Sequence, residues 1–235
     1  MTNPDHVPIG SKGRRRGGPL RIDRNKIVEA AREFDPQTMT MQAVADALGV
    51  DRKALNYHVT DRKGLLELVA ADVFEEYFAD AFHTYLARTR SSDPWQHALR
   101  AWSHAARDGM VATGRLTNYY VITSTNPAVF EPAESVLKSL RAAGFDSTTA
   151  SRALIFATTF SMGVGRDMVL QRQLGEHPQG PEVRRLLDTT VDEERFEQLK
   201  VMIAANINGP DDIDTQFDFE IDVFIAGMKG LLEKR

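Results

Sequence analysis

The chain contains no cysteine among its 235 residues. That absence excludes a disulfide framework, a thiolate nucleophile and any cysteine-ligated zinc site. Long hydrophobic runs are missing too: no unbroken apolar stretch approaches the roughly 18 residues a membrane-spanning helix needs. The basic N-terminal residues have no apolar segment behind them, so they do not read as a secretory leader. A cytoplasmic protein is expected. Catalytic motifs are equally scarce. No serine nucleophile elbow, glycine-rich phosphate loop or catalytic carboxylate pair is found. Asp80 and His83 stand at i, i+3, a spacing that can share a metal, but no second such pair accompanies them. No metal, no cofactor and no enzymatic activity are expected.

What is present is ordinary in bulk and uneven in distribution. Hydrophobic residues make up 42% and charged residues 26%, the balance of a globular protein with one large domain or a small one plus a medium one. The net charge of −4 argues against a polyanionic partner until it is divided along the chain. Residues 1–65 hold 12 Lys and Arg against 8 Asp and Glu, a net of +4, and the remainder carries a net of −8. One end is suited to meet a polyanion and the other is not.

Helical periodicity organises the chain after residue 20. Residues 1–20, with "SKGRRRGG" inside, lack it and read as a flexible basic arm that brings Arg14, Arg15 and Arg16 near a phosphate backbone. Asp23 caps a first helix carrying Ile27, Val28 and Ala31, and Asp35-Pro36 closes it. Thr40 caps a second with Met41, Val44 and Ala45 on one face, and Gly49 stops it. Asp51 caps a third with Leu55 inward. Asp61 caps a fourth that runs from Arg62 to about Arg88. Further helices are expected over 94–107, 127–143, 147–173, 182–206 and 215–233. Strand alternation is absent, and the class is all-α.

Two short helices joined by a turn containing Gly49 describe a helix-turn-helix. A recognition helix lying in a major groove must reach base edges from its N-terminal residues. Arg52 and Lys53 sit there, and Arg is the commonest reader of guanine. Asn56 stands one turn on. Tyr57 and His58 near the helix end suit phosphate contacts. Arg62 and Lys63 open the next helix, where side chains and backbone N–H groups can hold a phosphate.

"IVEAAREF…TMQAVADALGVDRKALNYHVTDRKGLLELV" resembles the N-terminal domain of the TetR family of transcriptional regulators, from Ile27 to Val69. "LNYHVTDRKGLL" is the most specific part. The resemblance implies a homodimer that binds a palindromic operator, usually as a repressor, with the fourth helix leading into a ligand-binding domain. It places Thr40 and Gln42, then Arg52, Lys53, Tyr57, His58 and Arg62, at DNA-contact positions. Asn56 departs from the usual Tyr, and it reads either as a base contact or as a lost phosphate contact. "DPWQHALRAWSHAARDGM", "LKSLRAAGF" and "FDFEIDVFIAGMKGLL" resemble, more loosely, the branch typified by the tetracycline repressor. Members that bind tetracycline hold the metal–drug chelate partly through a His. The nearest match to that His here is Ile122, and a polar drug contact on the fourth helix falls near Phe78. A more apolar effector, or none, is implied.

The expected layout is an arm over 1–20, a three-helix DNA-binding domain over 21–66 and a helical ligand-binding and dimerisation domain over 67–235. Singly, its large apolar residues read as core. As a set, Phe78, Phe82, Trp102, Tyr119, Ile122, Phe130 and Phe160, with His104 as a polar contact, are candidates for an effector cavity between helices. Phe217, Ile221, Phe224 and Met228 recur at the spacing of a helix seam. Ala153, Ala157, Ser161 and Gly165 form a ridge of small residues that permits close helix approach. Both stripes are candidates for a four-helix dimer interface, the alternative being that they fill the subunit's own core. The competing reading is an all-α small-molecule-binding or catalytic protein with a vestigial helix-turn-helix.

Overall fold

The computed structural model describes residues 22–88, 93–122, 127–175, 179–190, 194–207 and 213–233. The arm with Arg14, Arg15 and Arg16 lies outside the described residues. Among the described residues there are ten α-helices and no strand: α1 (Arg24–Arg32), α2 (Met41–Ala47), α3 (Arg52–Leu55), α4 (Arg62–Arg88), α5 (Pro94–Ala112), α6 (Pro127–Ala142), α7 (Ser147–Leu174), α8 (Gly180–Thr190), α9 (Glu197–Ile207) and α10 (Ile213–Glu233). Short 3-10 segments cover Gly114–Tyr119 and Glu194–Phe196.

The caps read from the sequence set the first four helix starts. Asp23 accepts from the Lys26 amide at 3.0 Å, Thr40 from Ala43 at 3.1 Å, Asp51 from Lys53 at 2.7 Å and Asp61 from Gly64 at 2.8 Å. Each satisfies an N–H that has no partner inside its own helix. Gly49 holds φ at 65°, and a Cβ there would meet nothing. Its glycine is required by backbone angle and not by crowding.

Two cores share one helix. The first gathers Ile27, Val28, Ala31, Val44, Ala45 and Leu55 around Leu65, Leu66 and Val69 of α4. The second gathers Phe74, Phe78 and Phe82 of α4 with α5, α6, α7 and α10. Rigid continuity of α4 therefore joins the helix-turn-helix to the larger body. Leu116, from the first 3-10 segment, also packs into the first core.

Three expectations are corrected. The helix expected over 182–206 is two, α8 and α9, with a 3-10 segment between. β-Branched Thr189 stands at the end of α8, and such residues lose side-chain freedom in a helix. α7 does have an 18-residue window apolar enough for a membrane helix, of mean hydropathy 1.2, although polar residues such as Thr158 and Thr159 interrupt its apolar ones. The third correction concerns the dimer stripes. Ala153, Ala157, Ser161 and Gly165 are all buried inside the chain, as are Phe217, Ile221 and Met228. A Cβ on Gly165 would lie 2.5 Å from the Arg107 carbonyl of α5, so the small-residue ridge serves the packing of α7 on α5. Phe224 alone of the eight is half-buried, in ring contact with Phe156 at 4.6 Å.

Candidate nucleic-acid interface and effector region

The helix-turn-helix sorts its residues cleanly by side. Val44, Ala45 and Leu55 are fully buried, whereas Arg52, Lys53, Asn56 and His58 are exposed and Tyr57 is 82% exposed. α3 is a single turn, and residues Asn56–His58 extend it through hydrogen-bonded turns rather than a regular helix. Val59, buried, anchors the exit from that segment. An 82%-exposed tyrosine flanked by an asparagine, a histidine and two cations has no packing function in the isolated chain. These side chains leave one exposed polar and cationic surface.

The neighbouring expected contacts divide. Gln42 is exposed and hydrogen-bonds Asp46 at 2.7 Å, while the Thr40 hydroxyl is engaged as the α2 cap. Lys63 is exposed and pairs with Glu67 at 2.6 Å, which raises its pKa above the usual lysine value. Arg62 turns the other way. Its guanidinium donates to the carbonyls of Pro36 at 2.6 Å, Gln37 at 3.1 Å and Met39 at 2.7 Å. It fastens the α1–α2 loop to the start of α4. From the far side, Arg115 of the 3-10 segment reaches Asp35 in the same loop at 2.7 Å. Sequence spacing gave no sign of either clasp, because the partners are 23–26 and 80 positions apart.

The effector candidates occupy separate places. Phe78, Phe82 and Trp102 meet in the body core, with Trp102 edge-on to Phe78 at 4.9 Å and to Phe82 at 6.3 Å. Trp102 Nε1–H donates to Thr158 Oγ1 at 2.9 Å. Phe160 stacks on Phe217 at 5.8 Å. Tyr119 is half-buried against the first core. Ile122 and Phe130 are 66% and 52% exposed. The set is thus one filled aromatic cluster and four outlying residues.

His104 lies in a polar seam that the sequence reading missed. Arg100, His104 and Arg107 of α5 pair with Asp222, Asp218 and Asp214 of α10, rung by rung in antiparallel order. The signal was available: three cationic or titratable residues at 4 and 3 face three aspartates at 4 and 4. Tyr85 stacks on His104 at 4.9 Å and donates to Asp108 at 2.5 Å. Burial, aided by Asp108, pushes the Tyr85 phenol up to about 12. Burial lowers the His104 pKa, the Arg107 charge adds to that, and together they outweigh the Asp218 carboxylate 3.1 Å away. The ring is neutral near pH 7, with Nε2–H donating to Asp218.

Residues 89–232 match the family model described as the tetracycline repressor-like C-terminal domain. The class A tetracycline repressor protein of Escherichia coli, from transposon 1721, is 26% identical over 164 residues, which cover 68% of this chain and 71% of that protein. A possible TetR-family transcriptional regulator from Streptomyces coelicolor A3(2) shares the fold with a TM-score of 0.65 at 23% identity, over 89% of this chain and all of that one. The TetR-family protein ActR from Streptomyces coelicolor, solved in complex with actinorhodin, gives 0.62 at 18% identity, over 88% and 95%. With a helix-turn-helix ahead of a body that this family model spans, the chain belongs to the TetR family of ligand-responsive transcriptional regulators.

Proposed function

We propose that this protein is a homodimeric, cytoplasmic repressor that Arg52, Lys53, Asn56, Tyr57 and His58 hold on a palindromic operator, and that a small, largely apolar effector releases it. The observation that carries the DNA reading is the exposed Arg52–His58 segment on a fully buried base. Thr40, Gln42 and Lys63 flank it, and the arm bearing Arg14, Arg15 and Arg16 adds phosphate contacts. Arg62 acts in this reading by positioning the α1–α2 loop.

A symmetric pair is supported by the faces of α7 and α10 that the chain leaves uncovered. Ile155, Phe156, Phe219 and Val223 are 62%, 47%, 61% and 55% exposed. Only 28% of the apolar window of α7 is buried. A second copy presenting the same helices forms an isologous four-helix interface.

The effector reading rests on the family and on the apolar body. ActR binds actinorhodin, and a TetR variant from Acinetobacter baumannii binds minocycline. In this chain a ligand entering beside Phe78, Phe82 and Trp102 has to displace packed rings, which favours an aromatic, apolar molecule. Along α4 the core changes between Ala70 and Phe74, a few residues beyond the expected division at residue 66.

Footprinting on genomic fragments, beginning upstream of the protein's own gene, tests the regulator reading. Arg52→Ala should then cost about 1–3 kcal/mol of operator binding and relax base preference at one position per half-site. Unchanged binding with intact folding would remove Arg52 from the recognition surface.

A further inference from the structure

A groove of about 630 Å³ lies where the helix-turn-helix meets the body, between the α1–α2 loop, the first 3-10 segment and the last turn of α7. Its lining is polar and, in charge, cationic. Gln37, Arg115, Asn118, Tyr119, Arg172 and Gln173 each bring a hydrogen-bond donor, Pro36 supplies the remaining wall, and no carboxylate lines it among the described residues. Asp35 stands at the edge, taking Arg115 at 2.7 Å with one oxygen and the Gln37 amide at 2.8 Å with the other. Arg172 has no ion pair among the described residues. Two guanidinium groups in one groove, with three side-chain amides that can turn their N–H groups toward a ligand, suit a multiply charged oxyanion, which takes forked N–H donors. The volume is that of a small-metabolite site.

We propose that this joint groove binds a compact polyanion, of the phosphate or polycarboxylate class, in competition with Asp35 for Arg115. Occupancy draws Arg115 off the α1–α2 loop and leaves that loop held from α4 alone, which weakens operator binding. The effect on DNA rests on the regulator reading; binding in the groove does not. The site is separate from the aromatic cluster of the body, and its link to the DNA-binding unit passes through the loop ahead of α2.

Calorimetric titration of the full chain with pyrophosphate, at ionic strength matched with chloride, tests the site. Citrate titrated in parallel separates phosphate from carboxylate recognition, and binding of either supports the groove. Arg172→Gln, at an exposed position, should weaken binding by about tenfold or more, the loss of one charge-assisted contact. Asp35→Asn keeps an acceptor for the Gln37 amide and should tighten it. Operator affinity, read by fluorescence anisotropy, should fall with pyrophosphate in the wild type and fall less in Arg172→Gln. Equal pyrophosphate affinity in the wild type and both variants, or an effect on DNA reproduced by chloride alone, overturns the proposal. If operator binding is intact and insensitive to the anion, the groove has no regulatory role while the regulator reading stands. If no DNA is bound at all, the regulator reading fails and the calorimetry still decides whether the groove binds anions.

Discussion

At the scale of single residues, the contrast between Arg52 and Arg62 shows how little residue type alone decides. Both open helices, and both suit a phosphate or a base. Arg52 is exposed, whereas Arg62 spends its guanidinium on three loop carbonyls. Lysine at that position keeps the charge but cannot fork across three acceptors. Arg62→Lys should therefore lower stability by about 1–3 kcal/mol, with operator affinity reduced at all sequences alike; chemical denaturation beside anisotropy measures both. A stable variant that loses only DNA affinity would return Arg62 to direct phosphate contact. His104 makes a second prediction, with a definite sign. Its pKa is lowered in the folded protein, first by burial and then by Arg107. The unfolded chain thus takes up the proton first as pH falls below the ordinary value of about 6.5. Stability present above that pH is lost between the ordinary value and the lowered folded one. Arg100, Asp108, Asp214, Asp218, Asp222 and Tyr85 share the seam and are present in both proteins to be compared. His104→Asn should lose less stability than the wild type in thermal melts between pH 7 and 5, and a parallel decline would assign the effect to other groups.

Among elements, α5 and α7 approach each other closely, and Gly165 is the reason. Its Cβ would meet the Arg107 carbonyl at 2.5 Å and the Met110 Cβ at 2.9 Å, both held by helix backbone. Gly165→Ala should then cost about 1–3 kcal/mol despite the better helix propensity of alanine, because neither helix can yield locally. Gly163, two residues away and on another face of α7, has open space around a Cβ, and Gly163→Ala serves as the control that should be neutral or stabilising in the same melts. This pair also explains what sequence periodicity conveys. The four N-terminal helix starts were legible because Asp23, Thr40, Asp51 and Asp61 act on amides two or three positions away. Local hydrogen bonds leave local signatures. The small-residue ridge from Ala153 to Gly165 was legible as a ridge, but not its destination. Close approach to one's own α5 and to a second subunit demand the same residue sizes. The ladder joining α5 and α10 was written in two spacings more than 100 positions apart. It becomes visible only once the antiparallel pairing is given. The clasps on the α1–α2 loop had no pattern at all, since a single side chain meeting a carbonyl leaves no period.

For the molecule as a whole, the proposed pairing rests on the exposed apolar faces of α7 and α10. Phe156 touches Phe224 across the two helices, so their uncovered faces adjoin, with Ile155 and Phe219 standing out from them. Buried and exposed stripes on the same two helices make a discriminating experiment possible. Ile155 and Phe219 contribute little to the single chain, being 62% and 61% exposed, whereas Ala157 and Phe217 are 1% and 0% exposed. Charges placed at the first pair, as Ile155→Asp with Phe219→Lys, leave the core untouched and desolvate badly against a second copy. Sedimentation should show a shift from dimer to monomer, with helix content retained by circular dichroism. Operator affinity should fall by orders of magnitude, because a monomer engages one half-site and forfeits the effective concentration of the second, roughly 10²–10⁴-fold in linked sites. A Phe217→Ala chain should behave oppositely: about 3–5 kcal/mol less stable, with its outward faces unaltered. If the double variant still sediments as a dimer and binds operator as before, the chain pairs through another surface. The spacing of its two recognition segments, about 34–36 Å for adjacent major grooves, would then have to be built from that surface instead.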